Sequence, residues 1–273
     1  VNRQNMGAVI ESSSRKVAGL INSRVLALVL VCTVSFMNVL DITVVSVALG
    51  DIGQSLGASQ SELQWVVDAY TLPLGALLMS AATLSRNLGR LRLFRWGLVL
   101  FTVGSAVCAL APSMAVLNAF RAIQAVGGAI FLGVGVPMIS DRYPAGRERA
   151  RATGIYGLIS GLAIAVGPLA GGGLVLVAGW RSIFWINVPV GVASWLASWY
   201  VKDRSTDRNN SGVDWLGTLL AILAVGAVTV VLLEGPAWGW TSARTLGGVA
   251  VGLAAMGLFM AVERGAGGAL ARG

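Results

Sequence analysis

The sequence predicts an all-α membrane protein. Three observations carry that prediction. Of 273 residues, 56% are apolar and only 12% are charged, whereas a soluble domain usually carries about 25% charged residues. Apolar runs of membrane length recur along the chain, and mean hydropathy is +0.77. The lysines and arginines cluster between alternate runs.

The runs fall at 26–48, 64–84, 93–112, 114–139, 153–178, 183–201, 215–233 and 246–262. Each reaches or approaches the ~20 residues that a helix needs to cross a bilayer. Residues 1–25 read as a polar tail carrying Arg3, Arg15, Lys16 and Arg24. The run after it is too long for a signal-peptide core, which predicts a retained first span. Residues 202–214 read as a polar linker, 215–262 as two further helices, and 263–273 as a second tail.

Basic residues then set an orientation. Arg86, Arg90, Arg92 and Arg95 follow the second run. Arg142, Arg147, Arg149 and Arg151 follow the fourth. Lys202, Arg204 and Arg208 follow the sixth, and Arg264 and Arg272 end the chain. With the N-terminal four, seventeen of the twenty Lys and Arg share one side of an eight-span topology. The positive-inside rule puts both termini in the cytoplasm of a multi-pass protein of the cell (inner) membrane.

Orientation thus accounts for the net charge of +8, and nucleic acid is set aside as a partner. There is no histidine, and Cys32 and Cys108 sit in apolar runs as packing residues, so no metal site is predicted. No span holds a lysine for a Schiff base, and no Gly-rich loop ends in Lys-Ser/Thr for a nucleotide. No cofactor is therefore predicted. An enzyme is disfavoured because no nucleophile–base constellation stands out.

Charged side chains within a span cost several kcal/mol unless paired or hydrated, and so point to function. Three stand out: Asp41, Asp68 and Arg121. If the first span ends near 48, Asp41 lies about seven residues, or ~10 Å, inside its outer end. Arg121 lies at a similar depth in the fourth span, and Asp68 about one turn inside the second. Asp41–Arg121 and Asp68–Arg121 pairs are both sterically open. A carboxylate there is pushed one way by desolvation and the other by a nearby Arg, so a change that swaps the two loads and releases a proton.

Each residue also has a plainer reading. Asp68 reads equally as a solvated interface residue, Asp41 as a turn residue if its span ends early, and Arg121 as a brace on backbone carbonyls. Gln124 faces either substrate or a neighbouring helix. Trp65, Trp180, Trp185, Trp238 and Trp240 fall near outer boundaries, as interfacial anchors do.

The fifth run contains GLISGLAIAVGPLAGGG, 157–173. Ala163, Gly167 and Gly171 recur at four-residue spacing, as do Gly157, Gly161 and Ala165. Such spacing lines a helix with residues that let another helix come close. Pro168 removes a backbone hydrogen bond and favours a bend.

These stretches, in order, resemble the fourteen-helix drug:proton antiporters of the major facilitator superfamily. LDITVVSVALGDIGQSLGAS, 40–59, resembles the first-helix signature, with Asp41 and Thr43 in place. QWVVDAYTL, 64–72, is similar to the start of the second helix. RAIQAVGGA, 121–129, is similar to the fourth-helix motif, with Arg121 and Gln124 kept. GLISGLAIAVGPLAGG, 157–172, resembles the fifth-helix antiporter motif. WRSIFWINVPVG, 180–191, resembles the opening of the sixth, and DWLGTLL and GPAWGW resemble the two extra central helices.

The resemblance implies a six-helix N-terminal transporter half, 26–201, plus two additional transmembrane helices. It implies proton-coupled export of hydrophobic or cationic small molecules by alternating access, with the lipid bilayer, protons and a small-molecule substrate as partners. Asp41, Arg121 and Asp68 would carry proton coupling, with Gln124 and Thr43 facing substrate or a neighbouring helix. Gly157, Gly161, Gly167, Pro168, Gly171 and Gly172 would form the hinge. The loop ATLSRNLGR, 82–90, keeps Leu84, Gly89 and Arg90 of the family's inner-loop motif. Arg86 stands where that motif has an Asp that helps lock the inner gate, and so reverses the sign of the lock. The family has two six-helix halves with substrate between them. The match stops after the eighth helix, which implies truncation there. The alternatives to a transporter are a non-transporting remnant, or a half-transporter needing a second half.

Overall fold

The computed structural model describes the backbone of residues 3–202 and 215–270. Side chains are described from Ser23 to Lys202 and from Leu216 to Val262, apart from some within the second and eighth helices. The described residues form helices and their joints, without strands. The elements are α1 (Arg3–Leu56), α2 (Gln60–Leu88), α3 (Arg90–Ala109), α4 (Met114–Ser140), α5 (Arg147–Ala178), α6 (Ser182–Trp185), α7 (Asn187–Ser198), α8 (Trp215–Trp238) and α9 (Ala243–Leu270).

A helix thus lies over each expected run, but α1 begins at Arg3 and α9 continues to Leu270, both within stretches expected as tails. Two runs differ further. The first was expected to end at 48 but continues to Leu56. Gly50 and Gly53 are tolerated within it because Ile52 is wholly buried and holds the extra turns against the bundle. The stop is Gly57, whose φ of +63° is a left-handed helix terminus open to glycine. Asp41 therefore has fifteen residues of α1 beyond it rather than about seven. The sixth run keeps helical dihedrals throughout, but its hydrogen-bond ladder is interrupted at Ile186 (φ −62°, ψ −28°), between α6 and α7. Pro189 explains the interruption: it has no N–H to donate to the carbonyl of Trp185 four residues earlier, and its ring crowds that carbonyl.

Five described helical stretches are long and apolar enough to cross a membrane: Ser23–Leu56, Arg90–Ala109, Met114–Ser140, Arg147–Ala178 and Ala243–Val262. The packing has α4 at its centre, against α2, α3 and α1. The α1 helix lies along α5 and touches α7, while α3 lies along α6 and α7. The α8–α9 hairpin packs on itself and touches α2, where Trp65 Nε1 donates to Glu234 Oε1 at 2.7 Å.

Two apolar clusters stack along the bundle. One holds Val34, Met37, Tyr70, Phe101, Ala125 and Phe131. The other holds Val44, Val66, Cys108, Leu117, Ile183 and Phe184. On α1, α3 and α4 the chain passes from one cluster to the other through a short polar gap, and the candidate site lies in it.

Candidate functional site

The gap is crossed by Asp41 on α1, Ser105 on α3, Arg121 and Gln124 on α4, and Asn187 at the start of α7. All are buried, with relative exposures from 0% to 3%. Arg121 and Gln124 are three residues apart on α4 and so share a face. Asn187 reaches the gap because it lies on the same buried helical stripe as Phe184, Gly191 and Ser194.

The centre is an ion pair. Arg121 Nη1 lies 2.5 Å from Asp41 Oδ2. The same nitrogen donates to Gln124 Oε1 at 2.9 Å, and Arg121 Nε donates to the Val66 carbonyl at 3.1 Å. Asp41 Oδ1 accepts from Asn187 Nδ2 at 2.8 Å and from Gln124 Nε2 at 3.1 Å. Both amides also donate to Ser105 Oγ, at 3.1 and 3.3 Å. That hydroxyl donates onward to the Phe184 carbonyl at 2.9 Å.

Aromatic rings close the guanidinium off. The Tyr70 ring centroid is 4.1 Å from Arg121 Cζ and that of Phe184 is 5.7 Å, both within cation–π range. The Tyr70 hydroxyl donates to Asn38 Oδ1, one turn before Asp41 on α1. The site is thus a charge-neutral pair whose polar atoms meet protein partners, enclosed by apolar layers. Such an arrangement can hold a charge away from water and change its hydrogen bonds in discrete steps.

Of the residues expected to act together, Asp41, Arg121 and Gln124 meet. Asp68 does not join them. It is half-buried and lines a cleft of about 320 Å³ between α2 and α8 with Gln64, Trp65 and Glu234. The Asp68–Arg121 pair left open by sequence is therefore not formed. The reason is helical phase: Val66 and Tyr70 turn toward Arg121, so Asp68 between them points elsewhere. Thr43 hydrogen-bonds the Leu40 carbonyl of its own helix at 2.9 Å and lies against Gly167, an interhelix position.

The expected hinge divides in two. Ala163, Gly167 and Gly171 are buried against α1. A Cβ on Gly167 would overlap Thr43 Oγ1, and one on Gly171 would press on Val44. Ser160 Oγ meets Ser35 Oγ at 2.9 Å in the same seam. Gly157 and Gly161 are exposed and have open space at their Cβ positions, as does Gly172. Pro168 is exposed and α5 runs through it unbroken. The glycines thus do not form a single contact face, because a helix docked on one neighbour buries only one of its stripes.

At the arginine-rich end, Gly89 joins α2 to α3 and Leu84 is half-buried. Arg90 pairs with Asp141 and donates to the Pro137 carbonyl at 2.9 Å, tying α3 to the end of α4. The side chain of Arg86 lies outside the described residues. Trp180, expected as an interfacial anchor, is instead buried against Phe184 at 6.3 Å between centroids.

Asn187, Ser105, Tyr70 and Asn38 were not singled out from sequence. Asn187 did carry a signal, as an amide inside the apolar stretch WRSIFWINVPVG. Ser105 and Tyr70 carried none, since both types are common in membrane helices.

The family model described as Major Facilitator Superfamily matches residues 31–271. Among curated proteins, the chain is 42% identical over 232 residues to multidrug resistance protein Stp of Mycobacterium tuberculosis, covering 84% of this chain and 43% of that protein. It is 34% identical over 261 residues to the methylenomycin A resistance protein of Bacillus subtilis, covering 95% of this chain and 54% of that one. Drug efflux pump JefA of Mycobacterium tuberculosis is 37% identical over 225 residues, with 82% and 44% covered. The chain spans about half the length of these relatives. Among solved structures, a bacterial homolog of the human lysosomal transporter Spinster, inward-facing and unoccupied, superimposes with a TM-score of 0.58 at 19% identity, covering 87% of this chain and 61% of that one. That likeness is one of fold. The chain is an all-α, multi-pass membrane protein, and it belongs to the Major Facilitator Superfamily.

Proposed function

We propose that this chain belongs to a proton-coupled exporter of hydrophobic or cationic small molecules that works by alternating access. The single observation behind the reading is the buried Asp41–Arg121 pair, isolated between two apolar clusters. A buried pair stabilises weakly against an apolar replacement, so its presence here favours a functional role. The names of the relatives, multidrug resistance protein and drug efflux pump, favour export of drug-like substrates.

In this reading Asp41 is the proton site and Arg121 the fixed charge that sets when it loads. The clustering of basic residues between alternate spans supports a topology with both termini in the cytoplasm, in the cell membrane. The exposed Gly157–Gly161 stripe of α5 meets a second six-helix body, against which this one rocks. Arg86 alters the inner lock that an Asp would make at that position.

The test is transport in inverted membrane vesicles. Wild-type vesicles with an acidified lumen should dissipate the pH gradient when a cationic dye is added outside, on the face that was cytoplasmic, as dye enters and protons leave. Asp41→Asn should abolish that dissipation at unchanged protein level. Full coupling in Asp41→Asn sinks the role given to Asp41. A competing reading, a half-transporter that needs a separate partner, is favoured by the same open α5 stripe. It requires that transport by this chain appear only on co-expression with a second half.

A further inference from the structure

We infer that Asn187 and Ser105 are positioning residues that transmit the protonation of Asp41 to the α6–α7 break. The inference rests on the reading of Asp41 as a proton site and adds how that proton is sensed.

A carboxylate only accepts, and each side chain on Asp41 presents a donor: Arg121 Nη1, Gln124 Nε2 and Asn187 Nδ2. That match also fixes which way the two amides point. When a proton from water adds to Asp41, the new O–H must find an acceptor, or a buried donor is left unpaired. The guanidinium of Arg121 has no acceptor. The Gln124 oxygen is already held by Arg121 at 2.9 Å, and turning that amide would set its NH₂ against a cation. The Tyr70 hydroxyl hydrogen-bonds Asn38 and is not among the groups bonded to Asp41. Of the three side chains bonded to Asp41, Asn187 is the one able to turn its oxygen toward it.

Turning Asn187 has a consequence two bonds away. Its amide now offers an oxygen, not an NH₂, to Ser105 Oγ. The hydroxyl swings its proton to that oxygen and leaves the Phe184 carbonyl, its partner at 2.9 Å. Phe184 sits in α6, two residues before the break at Ile186. The tether between α3 and the break is therefore made when Asp41 is charged and released when it is neutral. Arg121 keeps its charge throughout, so the centre passes from net neutral to one positive charge.

The titratable groups facing Asp41 are Arg121 from α4, Tyr70 from α2 and Cys108 from α3. From α5, Ala163 and Gly167 face α1 without a titratable atom, and α7 contributes the neutral Asn187.

The experiment is amide hydrogen exchange on the full chain in lipid nanodiscs, reading protection of residues 182–191. Asp41→Asn, neutral with one donor and one acceptor group, should lower protection there about fivefold, the factor that one lost hydrogen bond carries. Protection at the α8–α9 hairpin should stay unchanged. In a background of Asn187→Ala or, separately, Ser105→Ala, the Asp41→Asn substitution should no longer change that protection. Equal protection of 182–191 in wild type and Asp41→Asn overturns the inference without need of any other variant. So does a difference that survives both Asn187→Ala and Ser105→Ala. An infrared carboxylic-acid band that appears on acidification in wild type and is absent in Asp41→Asn reads the proton site itself. If that band is missing while Asp41→Asn still loosens the break, the coupling reading fails and the wiring through Asn187 stands. If the band is present and the break does not respond, the wiring fails and the coupling reading stands.

Discussion

Arg121 Nη1 and Asp41 Oδ2 approach to 2.5 Å with both side chains about 1% exposed, so each charge depends on the other for solvation. The two come from α4 and α1, eighty residues apart in sequence. Removing one partner leaves an uncompensated buried charge, which costs about 3–5 kcal/mol. Arg121→Leu should therefore destabilise the purified protein by several degrees in thermal unfolding. The double variant Asp41→Leu with Arg121→Leu should recover much of that loss. Additive losses in the double variant would mean that the two residues do not act as a pair.

The division of the α5 glycines gives a second prediction. Gly167→Val should force α1 and α5 apart at Thr43 and lower stability, since there is no room for a side chain. Gly157→Ala should leave stability equal or raise it slightly, since its Cβ meets open space and alanine favours the helix. If the exposed stripe meets a second body, Gly157→Ala should still lower transport. Thermal unfolding and dye efflux, measured on the same preparations, separate the two effects.

Arg90 satisfies the Pro137 carbonyl in the last turn of α4 while pairing with Asp141, which caps that helix. A cation at a helix C-terminus is favourable both to the free carbonyls and to the dipole. With both side chains about 20% exposed, Arg90→Ala should cost about 1 kcal/mol. It should also raise hydrogen exchange in residues 137–143, and an unchanged rate there would remove Arg90 as the tie between α3 and α4.

Glu62 gives a prediction in pH. The backbone N–H of Ser59, and then its hydroxyl, hold the Glu62 carboxyl below the ordinary glutamate range in the capping box of α2. A lowered folded-state pKa stabilises above the unfolded value and loses its effect as pH falls through the folded one. Acidification into and below the ordinary glutamate range should therefore weaken the start of α2. Glu62→Gln should flatten that part of the curve of unfolding temperature against pH, and an identical curve would refute the assignment.

How much of this was legible in the sequence depends on the range of the interaction. Hydropathy is local, so the apolar middles of the described helices could be read from the runs, but not the polar ends of α1 and α9. Asp41 and Arg121 were conspicuous as charges in such runs. Their pairing was not, because sequence leaves helix rotation open, and Asp68 was an equal contender until Val66 and Tyr70 took the facing positions. Asn187 was visible as an amide in an apolar stretch, but its partners Asp41 and Ser105 were not, because they come from other helices.

By itself the sequence determined the all-α membrane class, the family and the two charges at the centre of the site. These follow from residue chemistry, which is the same wherever a residue lies. Tertiary structure decided which stripe of α5 is buried, that α1 runs on to Leu56, and that Asn187 and Ser105 complete the shell of Asp41. Those outcomes turn on which helices touch and at what rotation, and a shift of one residue moves a side chain about 100° around its helix.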